Sequence, residues 1–209
     1  RLSEETHLKP KPMVEIGGMP IIWHILKIYS FYGINEFIIC CGYKGYLIKE
    51  FFANYSIHTS DITFDLQNNK VEIHKKSSED WKVTLIDTGE KTMTGGRLKK
   101  VKQYIDGKFF LTYGDGVSDV NINELVKFHD DHNKLATLTA VQPPGRWGSL
   151  IINKDNVKSF QEKPQGDGAW INGGFFILEP EVIDFIDGDQ CSWEEKSLKE
   201  LSKINQLMS

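Results

Sequence analysis

Apolar runs that suit buried strands alternate, in this chain, with segments whose apolar residues recur at helical spacing. Residues 20–32 carry apolar side chains near a 3.6-residue period, and the run 36–41 that follows is almost continuously apolar. A second helical pattern covers residues 46–55. Because strands that alternate with helices usually pair in parallel under a helical cover, this order predicts an α/β protein with a mainly parallel sheet.

The rest of the chain adds shorter strands to this pattern. Strands are predicted at residues 61–66, 71–74, 82–86, 109–113, 136–141, 149–152, 157–160 and 171–178, and helices near residues 95–104 and 121–132. We expect antiparallel additions to the sheet in the second half of the chain. The sequence has no repeat, no low-complexity segment and no linker long enough to divide it, so we predict a single domain over residues 1–209.

Composition and charge exclude several classes of protein. The chain has 29 Asp and Glu against 25 Lys and Arg, a formal net charge of −4, whereas a general nucleic-acid binder usually carries a basic excess. No apolar run approaches the roughly 18 to 20 residues that a membrane-spanning helix needs. Hydrophobic residues make up 40% of the chain, which is enough for a globular core. We therefore expect neither nucleic acid nor a membrane among its partners.

The cysteines indicate a reducing compartment. Cys40 and Cys41 are adjacent in a predicted strand, where neighbouring side chains point to opposite faces and are poorly placed to form a disulfide or share a metal. Reduced buried thiols are typical of cytosolic proteins, so we predict a cytoplasmic location. Arg1 rather than Met opens the sequence, which leads us to expect a longer natural chain.

A glycine-flanked acid follows one of the buried strands. Gly114, Asp115 and Gly116 come directly after the apolar run 109–113, at the strand end where open α/β sheets bind ligands. The glycines leave room for a ligand near the backbone, and the carboxylate is a hard oxygen ligand suited to Mg²⁺ that carries phosphates. A tight turn that needs Asp and Gly only for their backbone angles explains the same residues. The spacing alone leaves both interpretations open.

A lysine between two prolines lies near the start of the chain. Pro10 and Pro12 hold the local backbone extended and aim the Lys11 side chain in one direction. An aimed cation suits a phosphate site, whereas a solvated basic turn is the alternative interpretation.

Taken together, the motifs resemble those of the sugar-nucleotide pyrophosphorylases. The segment from Arg1 to His24, with its KPKPM string at residues 9–13, is similar to the signature of that family. The resemblance continues in the same order through Gly114-Asp115-Gly116, Glu162-Lys163-Pro164 and Asn172-Gly173-Gly174-Phe175-Phe176. It implies a Rossmann-like, three-layer fold of the nucleotide-diphospho-sugar transferase type. It also implies that the family's N-terminal glycine-rich loop, of which Arg1 would be the last residue, and a C-terminal segment are missing here.

Four further segments resemble the glucose-1-phosphate cytidylyltransferase branch of that family. They are residues 38–46, 84–89, 93–99 and 143–148. Thymidylyl and uridylyl relatives usually carry a Gln-containing, Gly-poor segment where Thr94-Gly95-Gly96-Arg97 stands. The resemblance implies that CTP and glucose 1-phosphate react to give CDP-glucose and pyrophosphate, for deoxysugar and O-antigen synthesis, and that the enzyme is a homo-oligomer.

The same resemblance assigns roles to residues around the reacting phosphates. Arg1 would neutralise the departing pyrophosphate, and Lys11 would hold the negative charge that develops near the α-phosphate. Asp115, beside Gly114, would bind Mg²⁺ between the nucleotide and the sugar phosphate. The family places a second carboxylate, from near its C-terminus, on the metal, and the resemblance implies that it lies beyond the end of this sequence.

Base recognition would depend on the segment Thr94, Gly95, Gly96 and Arg97. The glycines would let the backbone read the pyrimidine edge, and Arg97 would donate to cytosine O2 or to the triphosphate. A helix start that uses its glycines for packing is the alternative.

Sugar recognition would depend on residues that follow the predicted strand 157–160 and on residues at the start of the predicted strand 171–178. Lys163 would bind the phosphate of glucose 1-phosphate, and Glu162 and Asn172 would bond to sugar hydroxyls. Gly173 would allow a close approach of the backbone.

Two other functions stay open at this point. One is a pyrophosphorylase for another nucleotide (UTP, dTTP or GTP) or another sugar 1-phosphate. The other is a catalytically inactive, nucleotidyltransferase-like regulatory module, although such modules tend to lose the metal ligand or the aimed lysine, and Lys11, Asp115 and Lys163 are all present. A dinucleotide-binding dehydrogenase domain needs a glycine fingerprint that this sequence lacks.

Overall fold

The computed structural model describes residues 8–75, 78–143, 149–153, 155–161 and 170–209. Within these residues the α-helices are α1 (Ile21–Phe31), α2 (Gly45–Thr59), α3 (Thr94–Lys100), α4 (Ile122–His132) and α5 (Leu198–Lys203). The strands are β1 (Glu15–Ile16), β2 (Met19–Pro20), β3 (Glu36–Cys41), β4 (Asp61–Asp65), β5 (Lys70–Lys75), β6 (Lys82–Asp87), β7 (Phe109–Thr112), β8 (Ala136–Val141), β9 (Ser149–Asn153), β10 (Asn156–Gln161), β11 (Ile171–Leu178) and β12 (Leu207–Met208). Turns of 3₁₀ helix occupy Lys11–Met13, Lys102–Tyr104 and Pro180–Phe185, and a π-helical turn occupies Trp193–Ser197.

The strand–helix–strand pattern of the first half folds as predicted. α1 begins directly after Pro20, and it ends shortly before Gly33, where a φ of +81° favours glycine. β3 pairs with β6 in parallel over its full length, with Ile39 opposite Leu85 near the middle. α2 and the β4–β5 hairpin connect these two strands, so the chain returns to the same sheet after a long crossover.

A second sheet orders its strands as β12, β8, β11 and β7. β11 pairs antiparallel with both β7 and β8, and β12 joins β8 in parallel. The register between β11 and β8 shifts between Asn172 and Phe176, and Gly174 within this interval has a φ of +81°. An irregularity of this kind can change the direction in which side chains point at the end of a strand. The register shift begins at Asn172, one of the residues predicted to contact the sugar.

The predicted α/β class with antiparallel additions is confirmed, although the antiparallel share is larger than we expected. Among the described strands, two pairings are parallel and five are antiparallel. Three of the antiparallel pairs are the hairpins β1–β2, β4–β5 and β9–β10. Their strands lie too close together in the chain for the crossover connection that a parallel pair requires.

Two apolar clusters cover the faces of the second sheet. Phe176 packs with Trp193 and Leu201 in one cluster, and Phe175 packs with Tyr29 in the other. Because adjacent strand residues point to opposite faces, these two phenylalanines of β11 serve different clusters. The sheet therefore forms the middle of three layers. Among the described residues, no helix is both long enough and apolar enough to cross a membrane.

Candidate active site

Lys11 and Asp115 meet just beyond the carboxyl end of β7. Lys11 opens a 3₁₀ turn between Pro10 and Pro12, and its Nζ lies 3.3 Å from Asp115 Oδ2. Both side chains face solvent, with 59% of Lys11 and 38% of Asp115 exposed. An ion pair this exposed adds little to stability, so its position matters for ligand binding more than for the fold. The structure thus brings together a cation and a hard oxygen ligand that the sequence analysis singled out separately.

A glycine allows this close approach. A Cβ atom on Gly114 would lie 3.0 Å from Pro12 Cγ, which is tighter than almost all real Cβ contacts. Pro12 therefore packs directly on the Gly114 backbone and keeps Lys11 beside Asp115. A Cβ atom on Gly116 would have nothing within 4 Å, so the other side of the loop is open.

The donors at Asp115 fit a magnesium ion that is held largely by substrate. Mg²⁺ prefers oxygen ligands, and one or two carboxylates often bind it together with waters and substrate phosphates. The exposed Asp115 carboxylate supplies one such ligand. Across the described part of the chain, no group of three or more His, Cys, Asp or Glu side chains could hold a metal ion. These residues therefore suit an ion shared with phosphates rather than one enclosed by protein.

The segment Thr94–Arg97 forms the first turn of α3 and packs against the loop before the π-helical turn. Gly95 and Gly96 are buried. A Cβ atom would lie 2.7 Å from the Cys191 carbonyl oxygen at Gly95, and 2.7 Å from the Asp189 backbone at Gly96. Packing alone therefore requires both glycines, which is the alternative role that the sequence left open. Their contact with a nucleotide base stays a prediction.

Arg97 ties α3 to the ends of β3 and β6. Its guanidinium donates hydrogen bonds to the Cys41 carbonyl at 3.3 Å, Thr88 Oγ1 at 2.6 Å and the Glu90 carbonyl at 3.2 Å. A Cβ atom on Gly42 would lie 2.4 Å from Arg97 Nη1, so this glycine leaves the space that the guanidinium fills. The structure thus shows a structural role for Arg97, and its contact with CTP stays a prediction.

Two residues that the sequence reasoning missed connect the segments of the site. Tyr113 directly precedes Gly114 and donates a hydrogen bond from its hydroxyl to Glu194 Oε1 at 2.6 Å. Thr94 Oγ1 donates to Glu194 Oε2 at 2.7 Å, and Asn172 Nδ2 donates to the Tyr113 hydroxyl at 3.1 Å. Tyr113 could have been predicted as a site residue from the sequence, because it follows a strand and directly precedes the glycine motif. The sequence around Glu194 contains no comparable signal.

Burial and hydrogen bonding shift the pKa values of these two groups in opposite directions. Burial raises the pKa of the Tyr113 phenol, and the adjacent Glu194 carboxylate raises it further. Burial opposes ionisation of Glu194, but the hydroxyl groups of Tyr113, Thr94 and Ser192 that donate to it outweigh this effect and lower its pKa. A protonated phenol therefore donates to an ionised carboxylate at neutral pH.

Asn172 and Gly173 lie at the irregularity of β11. Asn172 Oδ1 accepts a hydrogen bond from the Gly174 amide at 2.8 Å, while its Nδ2 points to Tyr113, so two protein contacts orient this exposed side chain. A Cβ atom on Gly173 would lie 2.9 Å from the Thr139 carbonyl oxygen, and one on Gly174 would lie 2.8 Å from the Tyr113 ring. Strand packing and ring packing thus require these glycines.

Three residues of the sequence-predicted site lie outside the described residues. They are Arg1, Glu162 and Lys163. Their contacts with pyrophosphate, sugar hydroxyls and sugar phosphate stay predictions.

Comparison with known proteins identifies the family. A family model for nucleotidyl transferases matches residues 1–209, which is the whole chain. The chain belongs to the nucleotidyl transferase family. This nucleotidyltransferase is 60% identical, over 100% of its length, to the glucose-1-phosphate cytidylyltransferase of Salmonella typhimurium, of which it covers 82%. It is 42% identical over 99% of its length to a probable glucose-1-phosphate cytidylyltransferase of Bacillus subtilis, again covering 82% of that relative. The resemblance to this branch that the sequence motifs predicted is confirmed.

A solved structure supports the fold. A putative glucose-1-phosphate thymidylyltransferase from Bacillus anthracis, in complex with a sucrose, superposes on this nucleotidyltransferase with a TM-score of 0.68. The superposition covers 99% of this chain and 80% of the other at 13% sequence identity, so it speaks for the fold alone. The predicted nucleotide-diphospho-sugar transferase type is confirmed.

Proposed function

We propose that this nucleotidyltransferase transfers CMP from CTP to glucose 1-phosphate, giving CDP-glucose and pyrophosphate. The 60% identity to the Salmonella enzyme supports the choice of substrates. The 3.3 Å approach of Lys11 to Asp115 carries the chemical part of the proposal. Two polyanions can react only where cationic groups offset their repulsion, and this pair provides a cation and a metal ligand in one place.

In this reaction an oxygen of the sugar phosphate attacks the α-phosphorus of CTP in line. The bond between the α-phosphorus and the oxygen that bridges to the β-phosphorus breaks, and pyrophosphate leaves. The attacking phosphate oxygen is already ionised near neutral pH, so no protein base is needed. The protein therefore catalyses the reaction by aligning the two substrates and by stabilising the negative charge of the transition state.

Lys11 acts in this scheme as a cation near the α-phosphate. The two neighbouring prolines restrict its backbone, and the ammonium group beside Asp115 is proposed to lie where negative charge develops. A preplaced charge lowers the transition state without the cost of reorganising during the reaction. Arg1 is proposed to act in the same way on the departing pyrophosphate.

Asp115 is the residue proposed to hold Mg²⁺. When bound, the ion supplies neutralisation of the facing phosphates and orients them for in-line transfer. The partial exposure of the carboxylate and the open space beside Gly116 support this role.

The remaining site residues are proposed to contact either the nucleotide or the sugar phosphate. The nucleotide side comprises Thr94, Gly95, Gly96, Arg97 and Gly114, and the sugar side comprises Glu162, Lys163, Asn172 and Gly173. The branch resemblance further supports a cytoplasmic homo-oligomer in which residues 1–209 form a single nucleotidyltransferase domain. It also supports a CDP-glucose product used for deoxysugar and O-antigen synthesis.

The experiment that tests this proposal measures pyrophosphate release by the full-length protein. Glucose 1-phosphate and Mg²⁺ are supplied with CTP, UTP, dTTP, ATP or GTP in separate reactions, and reactions without sugar phosphate serve as controls. Release with CTP well ahead of the other nucleotides is expected. Faster pyrophosphate release with another nucleotide would leave the proposed type of reaction in place but overturn the choice of CTP. No release with any nucleotide would overturn the proposed reaction with glucose 1-phosphate.

A further inference from the structure

The Glu194 carboxylate collects three hydroxyl donors from separate parts of the chain. Oε1 accepts from the Tyr113 hydroxyl at 2.6 Å, and Oε2 accepts from Thr94 Oγ1 at 2.7 Å and from Ser192 Oγ at 2.9 Å. Glu194 is only half-buried and belongs to the π-helical turn Trp193–Ser197. Charge-assisted hydrogen bonds of this kind are stronger and more directional than neutral ones.

One arm of this network runs to the start of α3. Thr94 is the first residue of that helix, and its Oγ1 donates to Glu194 while it accepts from the Trp193 backbone amide at 3.0 Å. Both hydrogen-bonding functions of the hydroxyl are therefore assigned. We call the contact between Glu194 and Thr94 the nucleotide arm.

The other arm runs through Tyr113 to the sugar-side asparagine. An ionised carboxylate can only accept, so the Tyr113 hydroxyl must donate to Glu194 and use its lone pair for Asn172 Nδ2 at 3.1 Å. Asn172 Oδ1 in turn accepts from the Gly174 amide, which fixes the orientation of the side-chain amide. We call this path from Glu194 through Tyr113 to Asn172 the sugar arm.

The sugar arm adjoins the Lys11–Asp115 pair, since Tyr113 lies two residues before Asp115 in the chain. We propose that Glu194 and Tyr113 are positioning residues that hold the start of α3 and the Asn172 amide in place for the two substrates. The inference rests on the proposed function, because it takes Thr94 to serve the nucleotide and Asn172 to serve glucose 1-phosphate. Neither Glu194 nor Tyr113 needs to touch the reacting atoms.

The Tyr113→Phe variant separates the two arms. It keeps the aromatic ring, which packs against Gly174 and Phe176, and removes only the hydroxyl. The sugar arm is cut and the nucleotide arm stays intact. The KM for glucose 1-phosphate should rise about tenfold, while the KM for CTP changes less than about twofold, as expected for the loss of one oriented hydrogen bond.

The Glu194→Ala variant cuts both arms. The KM values for CTP and for glucose 1-phosphate should both rise about tenfold, with a smaller change in kcat, because bound substrates still meet Lys11 and Asp115. Glu195→Ala is the matched control, since Glu195 is the exposed next residue of the same turn and its KM values should stay at the wild-type level. Thermal unfolding of each variant shows whether it is folded, and Tyr113→Phe remains informative if Glu194→Ala is not.

The wild type in the same assay separates the two proposals. If it releases pyrophosphate from CTP and glucose 1-phosphate, and Tyr113→Phe leaves both KM values unchanged or raises both equally, the inference alone is overturned. If the wild type is inactive with these substrates, the proposed function fails and the inference fails with it. A selective rise in the KM for glucose 1-phosphate supports the inference.

Discussion

The Lys11 ammonium lies 3.3 Å from the Asp115 carboxylate, although the two residues lie about half the length of the chain apart in the sequence. Gly114 favours this approach, because a Cβ atom there would lie only 3.0 Å from Pro12 Cγ. A cation, a hard oxygen ligand and an open loop thus share the carboxyl end of β7, where α/β sheets bind ligands. This arrangement is the physical basis of the proposed phosphate chemistry.

The Lys11→Gln variant tests the role of the preplaced cation. Removing one preorganised electrostatic contact typically lowers kcat about 100- to 1,000-fold, and a loss of this size is expected here. Lys9→Gln is the matched control from the same segment, since Lys9 pairs with Glu15 at 2.6 Å rather than with Asp115. Steady-state kinetics with CTP and glucose 1-phosphate measure both variants, and equal activities in the two would contradict the assignment.

The Asp115→Asn variant tests the metal assignment. The amide keeps the size of the side chain but loses the charge that Mg²⁺ requires, so Mg²⁺-dependent turnover should fall at least about 100-fold. Circular dichroism should show an unchanged fold, because the Lys11 pair is exposed and contributes little to stability. Asp131→Asn, on the exposed side of α4, should retain full activity. A variant at position 115 that kept most of its turnover would show that the metal binds elsewhere.

Much of the fold could be predicted from the sequence because the spacing of apolar residues follows the period of helices and strands. The strand at residues 36–41 was predicted with its observed bounds, and α1 starts after the proline and stops before the glycine that the sequence indicated. The pairing of the strands was harder to predict from the sequence. Registers and sheet order depend on contacts between distant segments, such as β11 between β7 and β8, and local patterns do not encode them.

The Gly96→Ala variant tests the packing role of the glycines in α3. Alanine favours a helix over glycine by up to about 1 kcal/mol, but its Cβ would lie 2.7 Å from the Asp189 backbone, which cannot rotate away. Overpacking of this kind costs about 1 to 3 kcal/mol, so after the gain in helix propensity we expect a net loss of about 1 kcal/mol. The melting temperature should fall by about 2–4 °C.

The control for this variant is Gly188→Ala, in the loop that α3 contacts. A Cβ atom there would meet nothing within 4 Å, and the residue does not need a positive φ. Its melting temperature should stay close to that of the wild type. Equal melting temperatures for the variants at positions 96 and 188 would contradict the packing account.

The buried Tyr29 phenol predicts a loss of stability at alkaline pH. Burial raises its pKa from 10.0 to about 12, an effect that the hydrogen bond with Thr112 offsets only in part. A raised pKa in the folded state means that the unfolded state loses its proton first, so the stabilisation is complete below pH 10 and declines as the pH rises towards 12.

The size of this effect follows from the pKa difference. Between pH 9 and pH 11.5 the free energy of unfolding of the wild type should fall by about 2 kcal/mol more than that of Tyr29→Phe, which has no phenol to ionise. Urea unfolding at a series of pH values measures both. The same dependence on pH in the two proteins would show that this phenol does not titrate as described.

The site was only partly accessible from the sequence. Lys11 and Asp115 carry local signals, a pair of prolines and a pair of glycines, and the structure brings them together. Glu194 carries none, because its importance arises only when the chain folds and places it between Thr94 and Tyr113. Arg97 shows the reverse case, since a motif that suggested base recognition also serves three contacts within the protein.

The central claim is that CMP moves from CTP to the phosphate of glucose 1-phosphate. The most direct measurement uses CTP labelled at the α-phosphorus, incubated with glucose 1-phosphate, Mg²⁺ and the full-length protein, followed by separation of the products. The account predicts that the label appears in CDP-glucose, that unlabelled pyrophosphate forms in equal amount, and that neither appears without the sugar phosphate. Label released as free CMP or CDP, with no labelled sugar nucleotide, would contradict it.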